Sequence, residues 1–177
     1  MKFLCDNDGA DHLPSCCDGE VCVTLNHFFL LLSMLMFYGD HVQDTRQVFF
    51  ASWSKYRKNQ PLSPLEQQVV EVILLHPEYQ DVLESASFNI ESAYFPALGA
   101  TNPFLHMGLH LAIREQVATD RPEGIQTIYQ KLLIKYTDKH TVEHLLIDPL
   151  AECLWQAQRA QTEPDELSYL NACSAYL

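Results

Sequence analysis

Basic residues are scarce in this chain. Its 177 residues hold 11 Lys and Arg against 23 Asp and Glu, a net charge of −12. Phosphate backbones are held by clustered cations, so this balance argues against a non-specific nucleic-acid binder. The densest basic cluster, Lys55-Tyr56-Arg57-Lys58, reads as a solvated helix end. No Gly-rich phosphate loop and no Gly-x-Ser-x-Gly elbow occurs, which removes the usual motifs of nucleotide binding and of serine hydrolases. None of the six cysteines forms a Cys-x-x-Cys pair, so neither a zinc ribbon nor a thioredoxin-like centre is expected. Cys5, Cys16, Cys17 and Cys22 crowd the first 22 residues, and Cys153 and Cys173 lie far away. This pattern fits a reducing, cytoplasmic setting, with Cys153 as a buried thiol on a helix.

The remaining composition, 47% hydrophobic and 19% charged, is that of a globular domain with enough chain to bury its own core. Residues 1–35 do not share that character. The first twenty lack periodicity and carry one Lys against five acids, the wrong sign for a signal peptide. An apolar run follows, centred on Phe28-Phe29-Leu30-Leu31-Leu32. A membrane helix wants ~20 apolar residues, and Asn26, His27 and Ser33 interrupt this one; a membrane contact through residues 21–38 is the weaker alternative. Met34 and Met36 are both candidate starts, and ordered helical sequence begins directly after them. Residues 1–35 are therefore read as an extension outside the domain, or as sequence upstream of the true start, and residues 36–177 as a single helical domain.

From Met36 the pattern is all-α, a bundle of about five to seven helices with an up-and-down core. Asp40 can cap a first helix to about Lys58, with Val48, Phe49, Trp53 and Tyr56 as apolar bulk. Ser63-Pro64-Leu65-Glu66 is a capping box with proline at the first helical position, opening a helix to about Leu75. His76-Pro77-Glu78-Tyr79 breaks it, and a short helix through Glu84 precedes a long loop over residues 85–101. Asn102 caps and Pro103 opens the next helix, which Asp120-Arg121-Pro122 ends near Thr119. A helix over residues 123–136 follows, then one capped by Asp138 and running to about Ala160, where Pro149 predicts a kink or break. Pro164-Asp165-Glu166 starts the last, ending near Cys173.

Two histidine pairs at i, i+4 spacing are the one constellation able to carry chemistry: His106 with His110, and His140 with His144. On their helices these share stripes with Ile113 and Val117, and with Ile147, Ala151 and Leu154, so both pairs sit at the ends of apolar faces. Alternating connection would make the two bearing helices parallel, gathering both pairs, His76 and His41 at one pole. Imidazole suits zinc, iron, nickel or copper, and an i, i+4 pair offers two nitrogens to one ion. The expected transition-metal ligands, for zinc or iron, are His106, His110, His140 and His144, with Glu143 and with His76 or Glu78. His76 also reads as a plain helix-end residue before Pro77. Glu143 is the one candidate general base, and no reaction or substrate follows. The competing reading is an acidic helical interaction module with a protein partner, in which the histidines only cap, hydrogen-bond and pack. Tyr79, Tyr94 and Trp155 read as core.

Several stretches resemble a bacterial family catalogued as domain of unknown function eighteen-forty-one. They are Pro61-Leu-Ser-Pro-Leu-Glu66, His76-Pro-Glu-Tyr79, Asn102-Pro-Phe-Leu-His-Met-Gly-Leu-His110, Asp120-Arg-Pro-Glu-Gly124, His140-Thr-Val-Glu-His144, Glu152-Cys-Leu-Trp155 and Pro164-Asp-Glu166. The resemblance spans about residues 36–170 and implies a domain starting close to Met36. It implies no activity.

Overall fold

The computed structural model describes residues 42–84 and 102–177. Seven α-helices lie in them: α1 (Val42–Arg57), α2 (Pro64–Leu75), α3 (Gln80–Glu84), α4 (Pro103–Thr119), α5 (Ile125–Tyr136), α6 (Lys139–Ala160) and α7 (Glu166–Ser174). A 3-10 turn over Pro77–Tyr79 joins α2 to α3. Among the described residues there is no strand, and the helices pack as an all-α bundle. The extension over residues 1–35, Asp40, His41, Tyr94 and the loop over residues 85–101 lie outside the described residues.

The helix starts follow from side chains that satisfy otherwise orphaned amides. Ser63 and Glu66 form the capping box of α2, with Ser63 Oγ accepting from Glu66 N at 3.3 Å and Glu66 Oε2 accepting from Ser63 N at 2.8 Å. This cap holds the β-branched run after it as helix, with Val69, Val70, Val72 and Ile73 turned inward. Asn102 Oδ1 accepts from Phe104 N at 3.1 Å and from Leu105 N at 3.4 Å. Asp138 accepts from Thr141 N, and Asp165 from Ser168 N, in the same way. The helix ends of α4, α5 and α6 turn through Asp120, Thr137 and Gln161, each at positive φ. The break predicted at Pro149 does not occur, because α6 runs through it to Ala160. Proline removes one intrahelical donor there, while Leu146, Ile147 and Leu150 bury the same turns and hold the helix together.

Two apolar clusters divide the core, and α4 belongs to both. Phe104 and Met107 face Phe49 and Trp53 of α1, Val69, Val72 and Ile73 of α2, and Leu83 of α3. Leu109, Ala112 and Ile113 face α5, α6 and α7, where Ile125, Leu132, Val142 and Leu146 are fully buried. Nine residues of α4 are buried, so its apolar surface wraps most of the way round instead of forming one stripe. Four expectations fail on burial. Trp155 is 49% exposed and lies under the Arg159 guanidinium, Val48 and Tyr56 are exposed, and the Cys153 thiol is only half-buried. Trp155 sits one position past the inward stripe that ends at Leu154, about 100° round α6. That turn carries it out of the core.

Because Asn102 caps the helix common to both clusters, Asn102→Ala is expected to lower unfolding stability by about 1 kcal/mol in urea titration. A change below about 0.3 kcal/mol would show that the first turn of α4 needs no cap.

Candidate functional site

Five histidine rings meet where the two apolar clusters adjoin. His76 follows the last residue of α2, His106 and His110 stand on α4, and His140 and His144 on α6. Each position has a local cause. His76 is the C-cap of α2, its backbone conformation fixed between the helix and Pro77. The two pairs occupy the first turns opened by the Asn102 and Asp138 caps. His76 and His110 are buried at 2% and 0% exposure, and His106, His140 and His144 are partly open around them.

All five rings point their Nε2 atoms at one another. The separations are 3.3 Å from His140 to His76, 3.0 Å from His76 to His110, 3.3 Å from His110 to His106 and 3.1 Å from His106 to His144. One nitrogen from each of His76, His106, His110 and His144 lies within 4.8 Å of the others, a group that could hold a metal ion. His140 joins this set through His76 alone, although its ring is 4.2 Å from that of His144. Tyr79 packs partly buried against the apolar cluster of α1 and α2, and it also stacks on His76 at 5.4 Å and meets His106 edge-on at 5.8 Å.

The far sides of the two buried rings are tied to carboxylates. His110 Nδ1 donates to Glu143 Oε2 at 2.8 Å, and His76 Nδ1 donates to Glu78 Oε1 at 3.0 Å. Glu143 is itself fully buried and gripped by Arg114, whose Nε donates to Oε1 at 2.9 Å and whose terminal nitrogen donates to Oε2 at 3.2 Å. Burial works to raise the Glu143 carboxyl, but the hydrogen bonds from His110 and Arg114 and the guanidinium charge outweigh it and hold the group below its ordinary range. Glu143 therefore stands behind His110, with both oxygens engaged away from the Nε2 centre. Glu78 is likewise lowered: burial opposes this, and the bond from His76 prevails.

In the tautomer that donates Nδ1–H to these ionised carboxylates, neutral rings at His76 and His110 each carry a bare lone pair on Nε2. Those two lone pairs face each other at 3.0 Å, a contact that no hydrogen bond between neutral rings can satisfy. A proton shared there would put charge in the interior. Burial, first of all, holds His110 below the ordinary imidazole range despite Glu143. Burial and then the neighbouring rings push His106 and His144 down to about 4.

The expected ligands His76, His106, His110, His140 and His144 are thus brought together, while His41 lies outside the described residues. Along α4 and α6, His106 Nε2 meets His144 Nε2, and the His110 ring lies 4.8 Å from that of His144 and 5.4 Å from that of His140. One detail differs from expectation. Arg114 was absent from the expected site, although it stands four residues after His110 on the same face.

The described part of the chain is a helical domain with a pole of inward-facing imidazoles. The chain belongs to the family described as domain of unknown function (DUF1841), whose profile matches residues 41–175. No curated protein and no solved structure matches it. Among the described residues no helix is long and apolar enough to cross a membrane.

The depressed imidazoles set a pH dependence for the metal-free protein. Falling pH protonates His106 and His144 in the unfolded chain near 6.5, while the folded rings resist to about 4. The unfolded state therefore binds more protons in this window, and stability drops as pH falls through it. The carboxylates protonate in the unfolded chain only near 4.5, so loss between pH 6.5 and 4.5 belongs to the histidines. Thermal melts in chelator are expected to show this decline, flattened in the His106→Ala/His144→Ala double variant. Equal slopes in both proteins would refute it.

Proposed function

We propose that this domain binds a divalent transition-metal ion at the histidine pole, with His76, His106, His110 and His144 as ligands and His140 as a fifth. The observation that carries it is the approach of His76 Nε2 and His110 Nε2 to 3.0 Å while the Nδ1 atom of each ring faces a carboxylate. A cation between them turns a repulsive contact into two bonds. The spacing agrees: nitrogens ~2.1 Å from one ion stand about 3.0 Å apart at a right angle and about 3.4 Å at the tetrahedral angle. The observed neighbours are 3.0–3.3 Å apart.

Neutral imidazole ligands suit zinc or iron(II), with nickel and copper as chemically related occupants. Such an ion supplies Lewis acidity or, for iron or copper, electron transfer. The carboxylates act from behind. Glu143 orients His110, keeps its Nε2 free and offsets the ion's charge, as Glu78 does for His76, in the carboxylate–histidine–metal pattern. This assigns Glu143 to positioning in place of direct ligation or general-base work, because Arg114 and His110 occupy both its oxygens. The half-buried rings of His106, His140 and His144 leave the centre reachable from outside. A reducing cytoplasm would supply iron in its divalent form. In the competing interaction module, the same facing lone pairs would remain uncompensated.

Untagged full-length protein purified without chelator is expected to carry near-stoichiometric zinc or iron by elemental mass spectrometry. His106→Ala and His110→Ala should each lose it, and Glu143→Gln should weaken metal binding about 10–100-fold. Saturating zinc or iron(II) at 100 times Kd should stabilise the metal-free protein by about 2.7 kcal/mol. Background metal content together with an unmoved melting temperature would sink the proposal.

A further inference from the structure

Beside Arg114 lies a cavity of about 280 Å³. Its walls include Gln68 and Glu71 of α2, Arg114 of α4, Tyr129 of α5 and Lys139 of α6. Three features single it out. The Tyr129 hydroxyl is buried with no hydrogen-bond partner, in a residue only 7% exposed. The Arg114 Nη1 nitrogen is also buried and donates no hydrogen bond, although the rest of that guanidinium grips Glu143. Glu71 Oε2 stands 3.5 Å from this nitrogen, too far for a hydrogen bond, on a side chain 56% exposed. Lys139, 60% exposed and 3.8 Å from Glu143 Oε1, brings a second cationic side chain to the same cavity.

Burying a guanidinium N–H and a phenol without partners costs free energy, and a ligand accepting from both would recover it. The donors are positive or hydroxylic, which selects an anion. Glu71 shows the chemistry in place: its carboxylate pairs with Arg114 Nη1 at 3.5 Å without a hydrogen bond, on an exposed side chain that can swing out.

We propose that this cavity binds a small oxyanion, a carboxylate or phosphate group, on Arg114 Nη1, the Tyr129 hydroxyl and Lys139 Nζ, with Glu71 displaced to admit it. None of the five histidines lines the cavity, so the site does not rest on the metal proposal.

Succinate and inorganic phosphate, with succinamide as the neutral control, are to be titrated calorimetrically into the full chain at constant ionic strength. Titrations run with chelator present and also on the His106→Ala variant, so that a failed metal site leaves the result readable. One of the two anions is expected to bind and succinamide is not; the tighter anion identifies carboxylate or phosphate as the group recognised. Tyr129→Phe and Lys139→Gln should each weaken binding roughly tenfold. Glu71→Gln should tighten it about threefold or more, since the resident competitor is removed. Tyr129→Phe deletes only an unpartnered hydroxyl, so it should melt at or above the parent temperature. No binding of either anion up to about 20 mM, or equal affinity in all three variants, would overturn the proposal.

Discussion

The buried carboxylate of Glu143 is the constraint around which the rest of the site is arranged. An ionised group with no exposure needs compensation, and here two side chains hydrogen-bond to it while Lys139 Nζ stands 3.8 Å away. Arg114 supplies a two-point guanidinium fork, and His110 supplies an imidazole N–H. The first bond ties α6 to α4 through charge. The second sets the tautomer of a fully buried ring, and with it the direction in which that ring presents its lone pair. Breaking the arrangement on either side would strand a charge in the interior, which is far more costly than losing a surface ion pair.

That constraint acts at the seam of the bundle. Helix α4 faces one apolar cluster through Phe104 and Met107 and the other through Leu109, Ala112 and Ile113. Its polar residues on the remaining face, His106, His110 and Arg114, cannot reach solvent freely and must find partners on the adjoining helices. They find them in His144, Glu143 and, through the C-cap of α2, His76. The carboxylates bond to the far sides of His76 and His110, so the negative charge sits one layer behind the ring of nitrogens.

Much of the fold was legible because its signals are local. Ser63, Asn102, Asp138 and Asp165 satisfy backbone amides within three residues of themselves, so the starts of α2, α4, α6 and α7 can be read from short motifs. The i, i+4 spacing likewise placed each histidine pair on one helix face. At Pro149 a break does not follow, because burial of the turns around it keeps α6 continuous. Trp155 misled because apolar character was taken for burial, while its position lies off the inward stripe of α6.

By itself, the sequence determined the helices, their caps and the grouping of histidines on two of them, since each depends on neighbours a few residues away. Tertiary structure alone decided that His76 enters between the two pairs and that Glu143 turns its oxygens to Arg114 and His110. Those outcomes depend on contacts spanning 29 to 64 residues of chain. No local rule specifies them, because they follow from how two apolar clusters close on the same helix.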